Sequence, residues 1–144
     1  MTELGVSILL VDDSSADIEL MLKVLERHQA GWGIKTARDG VEALDLIFGA
    51  QASPDEPVHF KPQLVVMDLK MPRLGGFQVL ERLKADPRTR DIPVVVLTSS
   101  PEHRDKAEAS RLGASEYLVK SLTFEGFKGL MQRIVARWLP AETD

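Results

Sequence analysis

The chain predicts an α/β fold, a parallel five-stranded sheet sandwiched between helices, and three observations predict it. Short apolar runs recur along the sequence and show no polar alternation, as strands buried on both faces of a parallel sheet do. Helix-period stretches separate them, so the order is strand, helix, strand, helix. Four of the runs end on a polar residue: Asp12-Asp13, Asp68, Thr98 and Lys120. Strands of a parallel sheet point one way, so these residues share one edge, the edge where open α/β sheets bind ligands.

The first strand is Ile8-Leu9-Leu10-Val11. Ile18, Met21, Leu22 and Leu25 then fall at i, i+3, i+4 and i+7 on one helix face, and Ser14 with Asp17 three residues on signals its start. Ile34-Lys35-Thr36-Ala37 alternates and reads as an edge strand. Asp39-Gly40 opens a second helix carrying Val41, Leu44 and Phe48 on one side. The connection 49–62 holds three prolines and the acids Asp55 and Glu56; a loop of that size is functional or mobile.

Leu64-Val65-Val66-Met67 is the third strand, and Phe77, Leu80 and Leu83 mark a helix that ends before Pro87. Val94-Val95-Val96-Leu97 is the fourth strand, followed over 102–111 by a charged, weakly amphipathic helix of modest stability. Tyr117-Leu118-Val119 is the fifth strand. Phe127, Leu130, Met131, Ile134, Val135 and Trp138 make a last helix, stopped by Pro140. Five such units form a (βα)5 sandwich, with right-handed crossovers placing helices on both faces.

Composition bounds the function. The 144 residues fit one domain over 1–144, with a core of about 6–139, and 44% apolar residues suffice to fill it. The net charge is −4 and no basic patch is present, which argues against nucleic acid. No apolar stretch approaches the ~18 residues of a membrane span, and the amino terminus does not read as a secretory signal. Without cysteine there are no disulfides or thiolate sites, and the expected location is the cytoplasm. His28, His59 and His103 lack metal-ligand spacing and read as surface residues.

Asp12, Asp13 and Asp68 in one crevice repel one another and need a cation. An oxygen-only donor set selects a hard ion, Mg²⁺ before Zn²⁺. Mg²⁺ commonly shares its shell with a phosphate, and a carboxylate is itself a competent nucleophile toward phosphorus. Lys120 could offset charge on the phosphoryl oxygens, and Thr98 could donate to one of them. The set is sufficient for phosphoryl transfer onto an aspartate.

These residues carry a resemblance. Val11-Asp12-Asp13, Met67-Asp68-Leu69-Lys70-Met71-Pro72 with Gly75-Gly76, Leu97-Thr98-Ser99 and Tyr117-Leu118-Val119-Lys120 resemble the receiver domain of two-component response regulators, in order and over nearly the whole chain. The resemblance implies a flavodoxin-like (βα)5 sandwich with strand order 2-1-3-4-5. It makes Asp68 the acceptor of a phosphoryl group from a sensor histidine kinase or a phosphotransfer protein. It assigns Mg²⁺ to Asp13, Asp68 and the Lys70 carbonyl, with Asp12 acting through water. Thr98 and Tyr117 become a switch pair that re-shapes the surface of the fourth helix, fifth strand and fifth helix.

Two positions depart from the family's common pattern. Ser121 follows Lys120 where proline, joined by a cis bond, is usual; a cis bond to a non-proline costs ~2.5–4 kcal/mol against ~0.5–1 for proline. Lys70 brings a cation to a variable position beside Asp68, and it is counted with Ser99 and Ser121 as modulating. The long loop before the third strand, the Lys120-Ser121 junction and the Ala136-Arg137-Trp138-Leu139 helix end resemble single-domain regulators of bacteriophytochrome kinases. Only four residues follow Pro140, so no output domain is expected, and the C-terminal helix is a candidate homodimer surface. Two other classes compete: a pseudo-receiver that binds partners without phosphorylation, and an aspartyl-nucleophile phosphatase. The phosphatase needs a second acid two residues after its nucleophile, where this chain has Lys70.

Overall fold

A computed structural model describes residues 6–27, 33–49 and 55–139. Five strands and five helices alternate through it: β1 (Ser7–Val11), α1 (Ser15–Glu26), β2 (Gly33–Ala37), α2 (Gly40–Phe48), β3 (Leu64–Met67), α3 (Gly76–Ala85), β4 (Val94–Thr98), α4 (His103–Arg111), β5 (Glu116–Val119) and α5 (Phe124–Trp138). The sheet order is β2-β1-β3-β4-β5 and every pairing is parallel. This is the (βα)5 sandwich and the 2-1-3-4-5 order expected.

The central strands are apolar over 8–11, 64–67 and 94–97 because both their faces are covered. Ile8, Leu10, Leu64, Val66, Val95 and Leu97 face a layer built from Met21, Leu25, Phe127, Met131 and Ile134 of α1 and α5. Leu9, Val11, Val65, Met67 and Val94 face Ala43, Ile47, Val79, Leu80 and Leu83 of α2 and α3. Each such Leu or Ile contributes ~1.5–3 kcal/mol by leaving water, so β1, β3 and β4, buried on both faces, are major contributors to stability. Register then does the positioning. Val11 lies opposite Met67 and Met67 opposite Val96, which brings Asp12, Asp68 and the end of β4 to one edge.

Some local expectations are corrected. The buried face of α2 centres on Ala43, Ile47 and Phe48, while Val41 and Leu44 are only half-buried. Gly40 lies against Leu74 and Val79, and this close approach rotates the helix away from the face that its larger side chains suggest. In α1, Val24 is buried and Leu22 half-buried. β5 is not covered on both faces: it is the sheet edge, and Val119 is 42% exposed. On α5, Phe124 is 56% exposed, whereas Leu130 and Trp138 pack against the core. The Trp138 indole N–H donates to Glu116 Oε1 at 2.7 Å.

Capping follows the sequence signals. Ser14 Oγ accepts from the Asp17 N–H at 3.2 Å, and Asp39 Oδ1 from the Glu42 N–H at 2.8 Å. α4 buries only Ala109, which agrees with its expected modest stability. Of the long connection, residues 50–54 lie outside the described residues, as does His28; His59 and His103 are exposed. The remainder docks on α2, with the N–H groups of His59 and Phe60 both donating to the Ile47 carbonyl. Among the described residues no helix is long and apolar enough to cross a membrane.

Candidate functional site

The turn after β1 places two carboxylates differently. Asp12 is 1% exposed, and its Oδ1 accepts from the Ser14 N–H at 2.9 Å. Asp13 is exposed, and its carbonyl accepts from the Arg38 guanidinium at 3.2 Å. After β3, Asp68 is buried, with Oδ1 accepting from the Leu69 N–H at 2.6 Å. One carboxylate oxygen from each of Asp12, Asp13 and Asp68 lies within 4.8 Å of the others. Three oxygen donors at that spacing fit a hard divalent cation, and no softer ligand stands among them.

The loop beyond Asp68 is braced from both sides. The Gly76 N–H donates to the Leu69 carbonyl at 2.8 Å, and a Cβ on Gly76 would stand 2.5 Å from the Asp68 carbonyl oxygen. Only glycine allows α3 to start so close to the Asp68 backbone. On the other side Arg73, at φ 67°, bonds both oxygens of Asp39, at 2.8 and 3.2 Å. The Gly40 N–H donates to the Leu74 carbonyl at 2.9 Å. Lys70 is exposed between these anchors.

Lys120 enters from the end of β5, its N–H bonded to the Thr98 carbonyl at 2.7 Å. Its ammonium meets Asp12 Oδ2 at 2.8 Å, Asp17 Oδ2 at 2.8 Å and Asp68 Oδ2 at 3.0 Å. Burial works against the charged form, but the bonds to these three carboxylates outweigh it and hold the lysine above its usual range. Burial likewise pushes the Asp12 carboxyl up, against the pull of Lys120 and the Ser14 N–H. Four carboxylates, three of them bonded to the one ammonium, leave the crevice with a large excess of negative charge. A site in that state favours a bound cation.

Thr98 is fully buried, and its Oγ1 accepts from the Ser100 N–H at 3.4 Å. Tyr117 is half-buried beside Leu69, Val96 and Ala109, and its hydroxyl donates to the Ser100 carbonyl at 2.7 Å. Burial raises its pKa despite that bond. Ser100 therefore touches both Thr98 and Tyr117. Its own hydroxyl donates to Asp105 Oδ2 at 2.6 Å in the first turn of α4. Ser99 is exposed. Ser121 is half-buried, its Oγ accepting from the Thr123 N–H at 3.2 Å. No peptide bond among the described residues is cis, so Lys120-Ser121 is trans.

The structure thus brings Asp12, Asp13, Asp68 and Lys120 together and puts Thr98 on the same edge. It adds two residues that strand-end reasoning missed. Asp17 reads in sequence only as a capping partner, yet it sits in the first turn of α1, just past the turn that carries Asp12 and Asp13. Ser100 carried no comparable signal, because its role depends on where Tyr117 points.

The response regulator receiver domain family model matches residues 8–132. The methanogenesis regulatory protein FilR2 of Methanothrix harundinacea, itself named as probable, is 36% identical over 132 residues, covering 92% of this chain and 83% of that protein. Response regulator Rcp1 of Synechocystis is 33% identical over 136 residues, covering 94% and 90%. The crystal structure of the Mn²⁺-bound form of Rcp1 aligns with a TM-score of 0.83 at 33% identity, covering 96% and 98%. That of the phosphorylated cyanobacterial phytochrome response regulator RcpA aligns with a TM-score of 0.84 at 31% identity, covering 97% and 98%.

Proposed function

The chain belongs to the response regulator receiver family, and on that premise we propose that Asp68 accepts a phosphoryl group from a histidine of a sensor kinase or phosphotransfer protein. The observation that carries the proposal is the pairing of Asp68 Oδ2 with Lys120 at 3.0 Å inside a cluster of three carboxylates. An acid cluster alone would describe a cation site. An ammonium among the carboxylates adds a donor for the oxygens of a transferring phosphoryl group.

In the reaction an oxygen of Asp68 bonds to phosphorus as the bond from phosphorus to the histidine nitrogen breaks, and the imidazole departs with the electron pair. Lys120 keeps contact with the phosphoryl oxygens, and Thr98 supplies a hydroxyl donor from the end of β4. Asp13, Asp68 and the Lys70 carbonyl are the residues that would hold Mg²⁺, with Asp12 acting through water. Such an ion neutralises charge on phosphoryl oxygens and orients them. Lys70, Ser99 and Ser121, each next in sequence or nearly so to Asp68, Thr98 or Lys120, are proposed to modulate the rates. The chain performs only its own phosphorylation and dephosphorylation.

Thr98 and Tyr117 form the switch, with Ser100 between them. The output surface is the α4–β5–α5 side, where a groove of about 210 Å³ is lined by Lys106, Ser110, Ala114, Ser115, Glu116 and Tyr117. The single-domain reading over 1–144 and a cytoplasmic setting complete the proposal. A bacteriophytochrome is the proposed kinase, supported by the likeness to the phytochrome response regulator RcpA. Self-association through the C-terminal helix is supported by the exposure of Phe124.

Incubation with Mg²⁺ and phosphoramidate, read by intact mass, tests the central claim. Wild type should gain one hydroxylamine-sensitive phosphoryl group, only when Mg²⁺ is present, and Asp68→Asn should gain none. Equal labelling of the two proteins, or no labelling of wild type, would overturn it; the latter result would favour a pseudo-receiver. Continuous release of phosphate without a labelled protein would favour a phosphatase.

A further inference from the structure

We propose that Asp17 is a positioning residue for Lys120, holding one of its three ammonium protons so that another is aimed at Asp68 and at the phosphoryl group formed there. The inference rests on the reading of Asp68 as phospho-acceptor and assigns a role outside the residues named for it.

A lysine ammonium has three donors and no acceptor, and it turns freely on a long flexible stem. Here each donor has a carboxylate: Asp12 at 2.8 Å, Asp17 at 2.8 Å and Asp68 at 3.0 Å. Two of these belong to one local construction. Ser14 donates its N–H to Asp12 Oδ1 and accepts the Asp17 backbone N–H on its Oγ, so a single residue orients the Asp12 carboxylate and fixes the backbone from which the Asp17 side chain projects. Asp12 comes from the end of β1 and Asp17 from the first turn of α1. With two N–H bonds anchored there, the tetrahedral geometry of the nitrogen fixes the third. That third donor meets Asp68 Oδ2, the oxygen left free by the Leu69 N–H on Oδ1.

An acid in the first helical turn has an ordinary explanation in the helix dipole. The dipole does not account for the side chain turning into a crevice that already holds three carboxylates, where like charges raise its cost. The 2.8 Å bond to Lys120 offsets that cost and gives the placement a consequence. Small-molecule transfer isolates it. With phosphoramidate the P–N bond breaks, an Asp68 oxygen bonds to phosphorus, and the nitrogen, already carrying three hydrogens, leaves as ammonia. Charge on the phosphoryl oxygens then develops where the third N–H points.

The test compares full-length wild type, Asp17→Ala and Asp17→Asn in saturating Mg²⁺ and phosphoramidate, following the initial rate of phosphorylated protein by intact mass. Alanine removes the acceptor and should slow the reaction roughly 5- to 20-fold, the scale of losing orientation without losing the donor. Asparagine keeps an oxygen that accepts the same bond but carries no charge, and should recover the rate to within about three-fold of wild type. Urea transitions confirm that all three proteins are folded, and asparagine keeps the test open should alanine not fold. A wild-type rate in Asp17→Ala overturns the inference alone. Equal slowing in both variants also overturns it, because charge and not the bond would then be responsible. If wild type itself takes up no phosphoryl group, the reading of Asp68 falls and this inference with it.

Discussion

Asp13 is the carboxylate on which the tension between stability and function can be measured. It is exposed, and the ammonium of Lys120 is bonded to Asp12, Asp17 and Asp68. Asp13→Asn therefore removes repulsion from two neighbours, Asp12 and Asp68, with oxygens within 4.8 Å. Coulomb's law at that distance gives about 0.9 kcal/mol per pair in bulk water and about 3.5 kcal/mol at an effective dielectric of 20. Exposure puts Asp13 near the lower figure, and attraction to Lys120 subtracts from the sum. A net gain of about 1 kcal/mol follows for the variant without divalent cation. Urea unfolding in EDTA reads it as a midpoint raised by roughly 0.5 M at unchanged slope. Added Mg²⁺ should then stabilise wild type by mass action and Asp13→Asn much less, closing or reversing the gap. A variant less stable than wild type in EDTA, or an equal Mg²⁺ shift in both, would refute the reasoning.

Other outcomes follow from the same geometry. Gly76→Ala forces a Cβ to 2.5 Å from the Asp68 carbonyl oxygen and 2.9 Å from Leu69 Cα. Both are backbone atoms, so the change should cost about 1–3 kcal/mol in urea unfolding, and wild-type stability would show that α3 shifts freely. Lys70→Ala should shorten the life of the phosphorylated protein roughly two- to five-fold, the scale of an exposed ion pair; equal decay rates would sink that role. The Arg73 hydrogen bonds and the Glu42 N–H hold Asp39 below its usual range. Its contribution is therefore complete above the ordinary carboxylate pKa of about 4 and lost as pH falls through the lower folded value. In acid titrations followed by circular dichroism, Asp39→Asn should be less stable at neutral pH and flatter below pH ~4. Parallel acid limbs would contradict the pairing.

Element order, sheet direction and the edge that carries the site were determined by sequence alone. The reason is that both-face burial leaves the runs 8–11, 64–67 and 94–97 without a polar residue, so Asp12, Asp68 and Thr98 mark the strand ends without a structure. Capping at Ser14 and Asp39 was legible too, since those bonds span three residues. The tertiary structure decided what depends on contacts between distant segments. Gly40 packs against Leu74 and turns α2 onto Ala43 and Ile47, which no helical period in 40–48 can show. β5 has a strand on one side only, so its apolar run does not report two-sided burial. Tyr117 finds the Ser100 carbonyl seventeen residues back in the chain. Lys120 is the clearest case. The nearest partner in sequence of its ammonium is Asp68, 52 positions away. A flexible side chain chooses among acceptors by direction and distance, and those exist only once β1, α1, β3 and β5 are assembled.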